Sequence, residues 1–128
     1  MDTVELHKMI ADYMEKGFLE NIIDMFRHDT ALYAALPAMI SDERSQVRIG
    51  TAALVETLIG EHRDIMAAQV GAITALLSHE NPTVRGDAIY LLGLIANDEA
   101  RRAVMNHKDA SPLVAALVEE AIRELEAL

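Results

Sequence analysis

The sequence predicts an all-α protein: a helical solenoid of about eight helices, built from a helix–turn–helix unit used more than once. Three observations carry that reading. Residues 82–96 place apolar or small side chains at Val84, Ala88, Leu91, Leu92 and Ile95, which makes one stripe on a 3.6-residue helix. The same stretch recurs 37 residues upstream. Val47-Arg48 falls on Val84-Arg85, Ser41 on Ser78, Glu43 on Glu80, Leu54 on Leu91 and Leu58 on Ile95. The register also holds before the turn, where Leu36 meets Ile73, Ala38 meets Ala75, and Met39-Ile40 meets Leu76-Leu77. A third copy follows 30 residues on, where Ser111-Pro112 repeats Asn81-Pro82, and Val114, Val118, Ala121, Ile122 and Leu125 repeat the stripe. Self-similarity at this period belongs to stacked helical repeats, whose terminal units are atypical.

The elements follow in order. Asp2 and Glu5 form a capping box that opens a helix over about 3–16, with Val4, Leu6, Met9, Ile10, Tyr13 and Met14 as its apolar positions. Gly17 ends it in a left-handed cap. A second helix takes about 18–28, through Phe18, Leu19, Ile22, Ile23, Met25 and Phe26. The third spans about 30–41, and Pro37 removes a donor inside it, which predicts a kink or break. The fourth spans about 45–59 and stops at Gly60; the fifth spans about 63–78. Asn81 caps the sixth, with Pro82 at the first helical position, where no N–H partner is required. Asn97 caps the seventh, about 98–107, with Asp98 and Glu99 suited to its dipole. The eighth runs from Pro112 to near the terminus. The whole is read as one domain, 1–128, with residues 1–29 as an N-terminal cap and 30–60, 61–96 and 97–128 as repeats.

Composition narrows the function classes. Apolar residues make up 52% and aromatics only 4%, which suits closely packed helices. There is no cysteine, so disulfides and thiolate chemistry are excluded and a cytoplasmic setting is expected. The N-terminus lacks a basic-then-apolar signal region, and no apolar run reaches the roughly 18 residues that cross a membrane. A net charge of −10 opposes phosphate backbones, so nucleic acid is not an expected partner. A basic partner is.

The run Asn81-Pro82-x-Val84-Arg85-x-x-Ala88-x-x-Leu91-x-Gly93 resembles a HEAT repeat, nearest to the short type of many bacterial proteins and of phycobilin lyases. The resemblance covers 62–96 most fully and extends over 30–60 and 97–125. It implies a right-handed α–α superhelix of the HEAT and armadillo kind. It implies no single activity, because fold does not fix function.

Arg48 and Arg85 are equivalent residues of successive repeats. In HEAT-like proteins an arginine here bonds acidic or carbonyl groups of the adjacent turn. Asp42, Glu43, Glu80 and Asp87 are available, which gives a structural ladder; an anion site is the alternative, since guanidinium geometry suits either. The five histidines, His7, His28, His62, His79 and His107, include no i, i+4 pair, and four of them fall at helix ends or turns. His79-Glu80 is a His-Glu dyad of the kind that holds iron in deoxyhypusine hydroxylase, a HEAT-like enzyme. In that family the dyad directly follows the Val-Arg of each helix, whereas Gly86-Asp87 and Ile49-Gly50 stand there in this chain. No cofactor and no metal site is therefore expected. The methionines fall at helical core spacing and are read as core filler.

One surface stands out. Gly86, Ile89, Tyr90 and Gly93 lie opposite the stripe of the sixth helix, and Ile49, Ala52, Ala53 and Glu56 are their counterparts on the fourth. The second helices of HEAT-like pairs line the concave side. That side would be small and apolar with Tyr90 standing on it, and Glu119, Glu120 and Arg123 would supply a charged end. The expected function is a non-catalytic adaptor or scaffold that binds a protein or peptide, a basic one by the charge balance, through Ile49, Ala53, Glu56, Tyr90, Gly93, Glu120 and Arg123. The alternatives are a HEAT-type lyase or a cofactor- or metal-binding protein, and a structural subunit of a homo-oligomer, because an uncapped solenoid end invites stacking.

Overall fold

The computed structural model describes residues 2–128, all of the chain but Met1. Eight α-helices follow one another, with no strand among the described residues: α1 (Thr3–Glu15), α2 (Leu19–His28), α3 (Leu36–Ile40), α4 (Ser45–Ala67), α5 (Val70–Ala75), α6 (Pro82–Ile95), α7 (Asp98–Asn106) and α8 (Pro112–Glu126). Short 3₁₀ segments cover Thr30–Ala35 and Leu76–Ser78. None of these helices is long and apolar enough to cross a membrane. The backbone divides into two units, Met1–Gln69 and Val70–Leu128.

The helix starts obey their side chains. Asp2 Oδ1 accepts from the Glu5 N–H at 2.8 Å, Asn81 Oδ1 from Thr83 at 2.9 Å, and Asn97 Oδ1 from Ala100 at 2.8 Å. Each bond removes one orphan donor of a first turn. Gly17 has φ +90°, as its place after α1 requires. Ala96, just after α6, adopts the same left-handed region at φ +57° without being glycine.

In the first unit, α1, α2 and α3 each pack against α4. Ile10, Met14, Ile22, Phe26, Tyr33, Leu36, Val47 and Leu54 are buried there. Phe26 meets Tyr33 edge-on, with ring centres 5.0 Å apart. The apolar face of α1 is narrower than its sequence suggests, since Val4 and Tyr13 are exposed. Tyr13 instead meets Phe18 edge-on at the surface, with centres 5.9 Å apart.

Between 30 and 78 the third helix breaks near Pro37, as its sequence predicts, and the fourth and fifth differ from the helices expected there. The third helix is split: a 3₁₀ stretch runs to Ala35, and Pro37 sits in the first turn of α3, where its missing N–H costs nothing. The fourth helix runs two residues past its expected end at Gly60 and breaks at His62, whose backbone is non-helical (φ −125°, ψ 25°); a second helical piece continues from there to Ala67. Tyr33 Oη and His62 Nδ1 lie 2.8 Å apart and share a hydrogen bond that anchors the kink. The fifth helix is consequently in pieces. After Ala67, Ala68 and Gln69 bond back three residues to Ile65 and Met66, a tighter winding than the α-helix that closes the turn.

In the second unit, α6 packs on α8, α7 and α5, and α7 packs on α8 and α5. All five stripe positions of α6 are buried, and so are Val114, Val118, Ala121 and Leu125 of α8. Gly86 and Ile89, expected on the open face of α6, are buried as well. The cause is α8, which comes so close that a Cβ on Gly86 would lie 2.9 Å from Leu117 Cδ1.

Candidate partner-binding surface

The two arginines of the repeat behave alike at the backbone. Arg48 Nη1 donates to the carbonyls of Asp42 (2.6 Å) and Glu43 (2.9 Å). Arg85 Nη1 donates to the carbonyls of His79 (2.9 Å) and Glu80 (3.2 Å). Each therefore ties the start of its helix to the turn before it. Of the acidic or carbonyl groups expected as partners in the adjacent turn, the carbonyls are the ones taken. Arg85 does more: its Nε and Nη2 donate side by side to Asp109 Oδ2 and Oδ1, at 2.9 and 3.0 Å. That fork-to-fork geometry is the strongest pairing open to a carboxylate.

Asp109 was not legible as a partner, and neither was the role of Asp42. Asp42 stands two residues before Arg44, the N-cap of α4; Asp109 stands two before Ser111, the N-cap of α8. Each carboxylate accepts the N-cap N–H at 2.9 Å. Each also takes an imidazole, His7 Nε2 at 2.9 Å and His107 Nε2 at 2.7 Å, and a guanidinium. For Asp42 that guanidinium is Arg44, with Nε at 3.0 Å and Nη2 at 3.1 Å. Arg44 Nη1 extends the link to Asp12 at 3.0 Å. At the equivalent place before α6 stands His79, whose Nδ1 accepts from the Asn81 N–H at 3.0 Å. The shared offset of two residues before each cap was the signal available in the sequence.

These contacts set the charge states. Burial pushes the Asp42 carboxyl up, but the side-chain and backbone hydrogen bonds of Arg44, its charge and the His7 hydrogen bond outweigh this and hold it at about 2. The Arg85 fork holds the Asp109 carboxyl far below the usual carboxylate range, against its burial and with help from His107 and the Ser111 N–H. Burial, with Glu61 nearby, pushes the Tyr33 hydroxyl up to about 12.

The remaining histidines are occupied too, His28 by the Asp24 carbonyl at 2.9 Å and His62 by Tyr33. Among the described residues no group of three His, Cys, Asp or Glu is placed to hold a metal ion.

The surface residues fall on both units. Ile49 on α4 is 69% exposed, Glu56 is exposed and Ala53 is half-buried. On the second unit, Tyr90 (42% exposed) and Gly93 of α6 line a groove of about 190 Å³ against α8. Leu94 and Leu117 form its walls and Ile89 and Ala121 its floor, and Glu120 and Glu124 edge it. Glu120 lines the same groove as Tyr90 and Gly93. Arg123 is exposed but does not line the groove, and Glu119 faces a different groove, with Met105 and Ile122. Leu94, Leu117 and Glu124 also line the groove and were not picked out from the sequence.

No protein-family model, no curated protein and no solved structure matches the chain.

Proposed function

We propose that this protein is a non-catalytic adaptor of the HEAT-like type, a right-handed stack of helix pairs that binds a protein or peptide. The observation that carries the reading is the α6–α8 groove, an apolar trough with a half-exposed tyrosine on one side and two carboxylates on the other. Large side chains of this kind at a surface are common binding anchors. The polar clusters support the same view. Asp42 and Asp109 are held ionised, and their oxygens are taken by arginine, histidine and backbone donors. A carboxyl tuned so far below neutrality is poorly matched to proton transfer near pH 7. The equivalence of Arg48 and Arg85, each bonded to the two carbonyls before its helix, supports the repeat architecture. A cytoplasmic location belongs to the same proposal and rests on the cysteine-free sequence.

Affinity capture from the native host, read by mass spectrometry, tests this reading. A captured protein should be lost or weakened with Tyr90→Ala or Ile49→Glu, while both variants melt like the parent. Stoichiometric metal or a chromophore in the purified protein would replace the adaptor reading with the lyase or cofactor-binding one. A scattering curve incompatible with stacked helix pairs would remove the superhelix.

A further inference from the structure

We propose that the α6–α8 groove receives one face of a basic amphipathic helix, with a single leucine-, methionine- or aromatic-sized side chain inserted and lysine or arginine against Glu120 and Glu124. This rests on the adaptor reading and deepens it by naming the partner's chemistry. Size decides the anchor. A cavity of about 150 Å³ suffices for a benzene ring, so a groove of about 190 Å³ takes one large side chain and not two. Leu94, Leu117, Ile89 and Ala121 make its lining apolar.

Charge decides the flanks. Glu120 and Glu124 are four residues apart on α8, so they stand one above the other, about 6 Å along the axis. Neither has a cation partner among the described residues. Cations one turn apart on a facing helix match that spacing, and helix-in-groove recognition reads such i, i+4 positions. A second copy of the chain is the poorer occupant. A two-fold contact through this groove would bring the Glu120 and Glu124 edges of both copies into one interface, in a protein that already carries a net charge of −10.

The probe is a labelled synthetic helix of leucine and lysine in amphipathic register, titrated by fluorescence anisotropy. A version with its leucines replaced by alanine and a leucine–glutamate version accompany it. Gly93→Leu fills the groove, and it can be built because a Cβ at Gly93 lies at an ordinary 3.7 Å from Ala121 Cβ. The expected result is saturable binding of the leucine–lysine helix, weakened at least tenfold by Gly93→Leu and by loss of the leucines. The pair E120K and E124K, both at exposed positions, should reverse the preference toward the leucine–glutamate helix. Equal binding with and without leucines, or an unreversed preference in the double variant, would overturn the proposal as general adhesion to an acidic surface. A parent dimer that Gly93→Leu converts to monomer would overturn it in favour of a second copy. If the peptides fail while a host partner is still lost on Ile49→Glu, the groove assignment falls and the adaptor reading stands.

Discussion

Asp42 and Asp109 occupy the same position in two different turns, each two residues before an N-cap whose N–H its carboxylate accepts at 2.9 Å. Each gathers one histidine and one arginine as well. A short side chain that bonds the backbone two residues on closes a turn locally. The added cation then ties that turn to something distant, Asp12 on α1 through Arg44 in one case, and Arg85 on α6 in the other. Two turns, one in each unit, are thus locked by the same device, although the arginine comes from different places.

Removing the carboxylate should therefore cost more than an ordinary surface change. Asp109→Ala leaves the Ser111 N–H and the Arg85 fork without their acceptor. The expected loss is about 1–3 kcal/mol, typical of a stranded buried donor, read as a lower midpoint in urea with unchanged slope. Arg85→Lys should recover only part of what Arg85→Ala loses, because the ammonium cannot reproduce two parallel bonds. An Asp109→Ala midpoint equal to the parent's would show the pair to be dispensable.

Acid should unfold the protein through the same residues. Both carboxyls titrate lower in the folded chain than the ordinary value of ~3.9 in the unfolded chain. Their contribution is complete above about pH 4 and is lost as the pH falls through the folded values, about 2 for Asp42 and lower for Asp109. Denaturation followed from pH 6 to pH 2 should show stability falling below about pH 4. In the Asp42→Asn, Asp109→Asn double variant the fall should be shallower from a lower start. An identical slope in parent and variant would assign acid sensitivity to other groups.

Much of this was legible because it is local. Asn81-Pro82, Asn97 and Gly17 announce themselves, since capping and left-handed closure depend on residues a few positions apart. The stripe of α6 was equally plain from its period. What failed was non-local. Gly60 reads as a stop, yet the break comes two residues later at His62, whose imidazole is bonded by a tyrosine 29 residues earlier. Ile89 reads as surface until α8 covers it, and nothing in α6 alone says that α8 will do so. Arg85 was identified, but its acid lies 24 residues away rather than in the turn beside it.

Ala96 offers a gain in stability. It holds φ +57° after α6, where its Cβ crowds the backbone, and L-residues occupy that region at a cost of roughly 1–2 kcal/mol. Ala96→Gly removes the cost and adds some unfolded-state entropy, so a net stabilisation of about 0.5–1 kcal/mol is expected. A lower thermal midpoint for the glycine variant would mean that the Ala96 methyl packs more usefully than its strained backbone costs.

Two helical glycines should respond to alanine in opposite senses. Alanine gains about 1 kcal/mol over glycine in a helix interior, so any difference between sites reports the space around the new methyl. At Gly86 the obstacle is Leu117 Cδ1, 2.9 Å from the added Cβ. That atom ends a side chain bordering the open groove, and it can swing aside. Gly86→Ala should therefore be neutral or slightly stabilising, and it should reshape the groove wall. At Gly50 the obstacle is Met14 Sδ at 2.8 Å, the middle of a side chain only 5% exposed. Moving it means repacking α1 against α4, and overpacking of that kind costs roughly 1–3 kcal/mol, enough to outweigh the helical gain. Gly50→Ala should accordingly lower the urea midpoint while Gly86→Ala leaves it level or higher. The reverse order would show that α8 is held on α6 more rigidly than α1 on α4, and that the groove wall is a fixed part of the second unit.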